Sequence, residues 1–172
     1  MSEKLDQLEK LNAQIERTLS DSWVFPTYGN VKGFLGTIDV MFVAERPSTG
    51  KFPSRSDLLL YATLEKYGVA DAHLTDVIKT RGKGGEPYPD DIEPHRKVFK
   101  SEIEIIKPCL VVVFGQKTYD LLESWGLRYK LEKSGTVVRQ VWHYSYTRRG
   151  KDKEIGFDNQ IRQMLEKYYS RL

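Results

Sequence analysis

Leu5, Leu8, Leu11, Ile15 and Leu19 recur at helical spacing within a charged segment, so residues of about 2–19 are predicted to form an amphipathic helix. A turn-rich passage with Pro26, Gly29, Gly33 and Gly36 follows. The pattern then changes: TIDVMFVA (37–44) is short, β-branched and bounded by turn signals, as a buried strand should be. Ser56 can cap a helix running through Tyr67, with Gly68 as its terminator. HLTDVIK (73–79) is a second strand candidate, and GKGGEPYP a loop. Pro94 in a first turn opens a helix ending near Lys107. CLVVVFG (109–115) is the clearest buried strand, and KTYDLLESW a short helix stopped by Gly126. A last strand lies within VVRQVW (137–142). Ile161, Met164, Leu165 and Tyr168 mark one face of a closing helix over about 158–171.

Strands alternate with helices, which predicts an α/β fold: a three-layer α/β/α sandwich around a central, mostly parallel four-stranded sheet. With 172 residues, one domain is expected, its core lying between about 36 and 150. The composition, 40% hydrophobic and 30% charged, is that of a soluble globular chain. No stretch approaches the roughly 20 apolar residues of a membrane span, and the charged N-terminus lacks a secretory signal's apolar core. A cytoplasmic location is therefore expected. Cys109 is the only cysteine. It permits no intrachain disulfide and no thiolate-held cluster, and its place at the head of CLVVVFG predicts a buried thiol. His73, His95 and His143 lie far apart without metal-ligand spacing, so neither metal nor cofactor is expected.

Charge sharpens this picture. In open α/β sheets, ligands bind beyond the carboxyl ends of the strands. Three of the four strand candidates end in a basic loop. Residues 44–56 carry net +2, residues 79–85 net +3 and residues 143–153 net +3, against a formal net charge of only +3 for the whole chain. Positive charge should gather at one sheet edge, which suits a long, phosphate-bearing ligand.

Two residues stand where chemistry is expected. Glu45 directly follows VMFVA at a strand mouth, where a carboxylate can activate water or stabilise a cationic transition state. A salt bridge to Arg46 or Arg55 is the competing explanation. His143 follows VVRQVW and could donate a hydrogen bond to a leaving group, or simply pack. Asp76 is an odd polar residue in an apolar strand. Phe52 and Tyr88 are loop aromatics able to stack on bases, although burial against the domain accounts better for Tyr88. STGK is not a phosphate-binding P-loop, because Glu45 and Phe52 occupy positions that would need glycine and Ser or Thr.

Four segments, taken in order, resemble the uracil-DNA glycosylase superfamily. VMFVAERPS (40–48) looks like its first motif, a strand ending in Gly-Glu-Ala-Pro-Gly. LTDVIKTR (74–81) is similar to its Thr-Asn-Val-Val-Lys strand and basic loop. KPCLVVVFGQKTYDLL (107–122) resembles its Pro, apolar run, Gly and helix segment. VWHYSYTRR (141–149) resembles its His-Pro-Ser-x-x-x-Arg motif. Ala44, Arg46 and Ser48 replace Gly, Ala and Gly of the first motif, and Tyr144 replaces the proline after the histidine. The cysteines of the iron–sulfur branch are absent.

The resemblance implies a DNA glycosylase of base excision repair, hydrolysing the N-glycosidic bond of a deaminated or damaged base flipped from DNA. It implies that Glu45 orients the attacking water and stabilises the sugar cation, while His143 stabilises the departing base. Asp76 takes the place of a base-reading asparagine, and Phe52 lies beneath the base. Arg46, Ser48, Lys79, Arg81, Ser145 and Arg149 are the implied contacts to the DNA backbone. An ionised Asp76 only accepts hydrogen bonds and suits an amino-bearing base, whereas a protonated one mimics asparagine. The expected partner is DNA, including single-stranded or mismatched forms, bound by a monomer. A catalytically silent, nucleic-acid-binding relative is the alternative.

Overall fold

Residues 2–83 and 85–170 are described here by a computed structural model. Gly84 in the expected 80s loop and Arg171 at the end of the expected C-terminal helix lie outside the described residues. Helix α1 (Glu3–Thr18) starts where Ser2 Oγ accepts the Leu5 amide, with Glu3 and Asp6 in its first turn. Strand β1 (Val40–Ala44) leads to α2 (Arg55–Lys66), then β2 (His73–Asp76) to α3 (Glu93–Ile106). Strand β3 (Leu110–Phe114) is followed by α4 (Gln116–Ser124) and α5 (Leu127–Lys133). Strand β4 (Val137–Val141) passes through a 3₁₀ turn, Tyr144–Arg149, into α6 (Lys151–Tyr169).

The sheet order is β2-β1-β3-β4, and every pairing is parallel. Parallel neighbours require crossovers, so helices cover both faces and the central strands are apolar on both sides. Met41, Val43, Val111 and Val113 pack with Leu8, Leu11, Val98 and Phe99 of α1 and α3. Phe42, Ala44, Val112 and Phe114 pack on the opposite face with Leu60, Leu64, Phe157 and Ile161 of α2 and α6. The result is an α/β/α sandwich whose four strand ends share one edge.

Several local expectations shift. β1 begins at Val40, because the Thr37 and Ile38 amides bond to the Asp71 carbonyl rather than to a strand. Ser54, not Ser56, caps α2, since Asp57 completes a reciprocal capping box with it. Helix α6 starts at Lys151 instead of near 158, with Asp152 and Glu154 favouring its first turn. Cys109 is exposed, not buried, and its bond to Asp39 raises the thiol pKa. No described helix is long and apolar enough to cross a membrane.

Candidate active site

The shared edge presents, strand by strand, Asp76 at the end of β2, Glu45 after β1, Gly115 after β3 and His143 after β4. The Ala44 and Glu45 carbonyls accept the Val77 and Ile78 amides, so the first two loops leave the sheet in fixed register.

Asp76 is buried, and neither carboxyl oxygen has a hydrogen-bond partner among the described residues. Leu74 belongs to the α2/α6 face, and strand alternation sends Asp76 to that face too. Burial pushes its carboxyl up to about 8, against the pull of Lys79; Glu102, Asp57 and Glu45 add to the rise. The acid is therefore largely protonated at neutral pH, with one donor and one acceptor to offer. A charge at Asp76 is felt by the hydroxyls of Tyr61 and Tyr144, both held well above the ordinary range chiefly by burial.

Those tyrosines belong to an aromatic box. Phe52 lies 5.3 Å from Tyr61, 5.8 Å from Trp23 and 5.8 Å from Tyr28, ring centre to ring centre. Trp23, Pro47, Ser48, Phe52, Asp57, Arg81 and Tyr144 enclose a cavity of about 20 Å³, room for one water. Arg81 seals it by donating to the Ser48 carbonyl at 2.9 Å and the Gly50 carbonyl at 3.4 Å.

Glu45 is half-buried, and its Oε2 accepts the Tyr88 hydroxyl at 2.9 Å. Burial and then that bond lift Tyr88 to about 12, so it remains a donor. Arg46 reaches into the same loop, donating to the Glu86 and Pro87 carbonyls at 3.1 and 3.3 Å with its guanidinium 5.4 Å from the Tyr88 ring. Arg46 thus staples the 80s loop that holds Glu45.

His143 Nδ1 accepts the Ser145 amide at 3.0 Å and lies 2.8 Å from the Ser145 hydroxyl. An accepting Nδ1 puts the ring proton on Nε2, which becomes a donor. Burial lowers the imidazole to about 4, and Arg148 pushes the same way, so the ring is neutral at physiological pH. Tyr144 stacks on it at 4.4 Å, and Phe114 meets it edge-on. Gly115 has φ +83°, and a side chain there would press on His143 at 3.3 Å, so glycine suits the close approach of the two loops.

The structure gathers Phe52, Ser48 and Arg81 about one cavity, with Asp76 coupled to its tyrosines. Ser145 and His143 join Arg149 along a separate groove. Glu45 lines neither. Lys79 requires a correction: it is fully buried, not on a basic loop. Its ammonium bonds Thr75 Oγ1 at 2.8 Å, Glu102 at 2.9 Å and the Asp76 carbonyl, and so cannot reach a phosphate. The 79–85 loop consequently shows less positive charge at the surface than its sequence suggests. Sequence reasoning also missed Trp23, Tyr28 and Tyr61 as walls of the box and Tyr88 as the anchor of Glu45. The aromatic density of 23–28 was the available signal for the first two; the separation of 43 positions between Glu45 and Tyr88 left none for the last.

No match is found among curated proteins. A sequence profile described as the Uracil DNA glycosylase superfamily matches residues 33–171, most of the chain and all four strand ends just described. The chain belongs to the uracil-DNA glycosylase superfamily.

Proposed function

We propose that the chain is a DNA glycosylase that hydrolyses the N-glycosidic bond of a deaminated or damaged base extruded from DNA. The observation that carries this reading is the neutral His143, whose Nε2 is left as a donor at the edge shared with Glu45 and Asp76. A neutral imidazole whose Nδ1 is already occupied presents Nε2–H, which can donate a hydrogen bond to a base leaving as an anion. Glu45 orients water toward the sugar carbon and offsets the positive charge that develops there, held in place by Tyr88. Asp76, protonated, donates to a base carbonyl and accepts from an adjacent N–H, as a uracil-like edge requires. Phe52 supplies the ring beneath that base. Ser48, Arg81, Ser145 and Arg149 lie where the backbone of a monomer-bound strand would pass. In this reading the protein serves base excision repair in the cytoplasm and needs no cofactor.

One observation favours a second reading. The cavity at Phe52, about 20 Å³, is far too small for a base, which favours a catalytically silent relative that binds nucleic acid. The two readings separate in one assay. Oligonucleotides carrying uracil, hypoxanthine, xanthine or a T·G mismatch are incubated with protein, and alkali then cleaves any abasic site. Scission reduced roughly 100-fold or more by Glu45→Gln supports the glycosylase. Binding without scission on every substrate supports the silent relative, and full activity in Glu45→Gln removes the role given to Glu45.

A further inference from the structure

Beside His143, away from the aromatic box, lies a groove of about 890 Å³. Lys117, Arg148 and Arg149 contribute positive charge to it, Gln116 and Gln140 contribute amides, and no carboxylate lines it among the described residues. Two aromatic rings form part of its wall, Trp142 and Tyr146, 5.1 Å apart and crossed at 70°. Trp142 is 38% exposed, which is unusual for tryptophan and unexplained by the fold.

We infer that this groove, which His143, Ser145 and Arg149 also line, extends the proposed DNA site: Trp142 and Tyr146 stack on unpaired bases flanking the target nucleotide, so that single-stranded DNA is bound in preference to duplex. The inference rests on the glycosylase reading in taking DNA as the ligand and in the DNA contacts given to Ser145 and Arg149.

The platform is built rather than incidental. Gly156 sits inside α6, where glycine costs about 1 kcal/mol relative to alanine. Any side chain there would lie 2.6 Å from Trp142 Cζ3, so the glycine lets the indole lie against the helix. Gln160 fixes the strand end by accepting the Trp142 amide at 2.8 Å. The indole is thereby held at the rim of a basic groove with part of its surface open.

Cations stand over the same rings. Arg149 lies 4.4 Å from the centre of Tyr146, and Lys153 lies 5.6 Å from Trp142 and 5.4 Å from Tyr146. Both have long stems that can swing from a ring face to a phosphate when a base takes the face. Lys117, across the groove on α4, makes none of the side-chain hydrogen bonds or ion pairs found among the described residues, leaving its charge for a strand. Crossed rings with a basic groove match unpaired nucleotides, whose faces are open; duplex bases already stack on one another.

Fluorescence anisotropy with labelled oligothymidylate and a matched duplex tests this on the full chain. Trp142→Ala should weaken single-strand binding about 5- to 100-fold and duplex binding by far less. Lys117→Ala, a surface change that spares the fold, should lower the slope of log affinity against log salt by about 0.7 on the single strand. Thermal melting verifies that each variant folds; if Trp142→Ala does not, Tyr146→Ala and Lys117→Ala decide. Unchanged single-strand affinity in the folded variants, or equal losses on duplex, overturns the inference. Absence of base release with stacking-dependent binding intact would sink the glycosylase reading alone.

Discussion

Thr75 and Asp76 are neighbours on β2, and they open onto two different buried carboxylates. On the α1/α3 side, Thr75 Oγ1 donates to Glu102, which also pairs with Lys79 at 2.9 Å and lies 3.7 Å from His73 Nε2. On the α2/α6 side, the two oxygens of Asp76 have no partner among the described residues. Both carboxyls are almost wholly shielded from water, and burial pushes both upward. For Glu102, the charge of Lys79 and contacts from His73 and Lys79 outweigh burial and hold the acid below its usual range. For Asp76 nothing does, and it rises to about 8. Burial alone does not decide what a carboxylate does; partners supplied from across the fold do. The satisfied one builds the structure; in the proposed reading the unsatisfied one is kept for the base.

The sharpest way to break this comparison is to remove the partner. Lys79→Ala strands Glu102 as an unpaired buried charge, and urea unfolding should show a loss of roughly 3–5 kcal/mol. Replacing both, as Lys79→Met with Glu102→Leu, should recover much of it, because an apolar pair of similar volume avoids desolvating two charges. A cost under about 1 kcal/mol for Lys79→Ala would mean that Glu102 simply takes up a proton, and the contrast with Asp76 would vanish.

Titration sharpens it from the other side. The Asp76 carboxyl is raised in the fold, so its contribution to stability is complete below an unfolded value near 4 and is lost as pH rises toward 8. Glu102 is lowered, so its contribution is present above its unfolded value and lost as pH falls through the acid range. Asp76→Asn should therefore flatten the alkaline decline between pH 4 and 8, a decline of up to roughly 5 kcal/mol in the natural chain by pH 8, while leaving the acid limb intact. Parallel pH–stability curves for the two proteins would show that Asp76 is ionised throughout. In the proposed reading, base release by the natural chain should fall as pH rises through 8, and the same substitution should remove that fall.

This distinction was only half legible in the sequence. The apolar runs at 40–44 and 110–114 announced β1 and β3, since strands buried on both faces have little choice of composition. Asp76 stood out as a carboxylate inside such a run. Its partner state did not, because whether a buried acid is paired depends on residues brought in by other elements. Lys79 reads as a loop cation until α3 delivers Glu102, 23 residues later, to its ammonium. Helix α6 looked shorter because the charged 151–155 and Gly156 resemble loop; Trp142 lying on that glycine is a tertiary reason that local pattern does not contain. Glu45 and His143 were legible by position, since residues at strand ends are the ones a parallel sheet carries to its edge.

A smaller effect concerns Glu45, whose single hydrogen bond from Tyr88 is intermediate between the two extremes. Tyr88→Phe keeps the ring against Arg46 and removes only the donor. Loss of ~1 kcal/mol of positioning should lower kcat/KM for base release about fivefold, with a far smaller change in DNA affinity. An equal loss in binding would assign Tyr88 to DNA contact rather than to Glu45.

His143 completes the series as a buried base without a counter-ion among the described residues, and like Asp76 it takes its neutral form. Its folded value, about 4, lies below the ordinary 6.5 of an exposed imidazole. The neutral ring therefore favours the fold above about pH 6.5, and this contribution is lost as pH falls toward 4. Nitrogen NMR should find the Nε2–H form at neutral pH and a titration near 4. Two donors from Ser145 face Nδ1, the amide at 3.0 Å and the hydroxyl at 2.8 Å. Since the amide belongs to the backbone, Ser145→Ala removes the hydroxyl yet leaves the tautomer fixed. The variant should lose no more than roughly 0.5–1 kcal/mol of stability and keep the Nε2–H signal. A shift of the proton to Nδ1 in that variant would make the hydroxyl, not the chain direction at the end of β4, the source of the donor, and the tautomer of His143 would then be a matter of one side chain while its neutrality stayed a matter of burial.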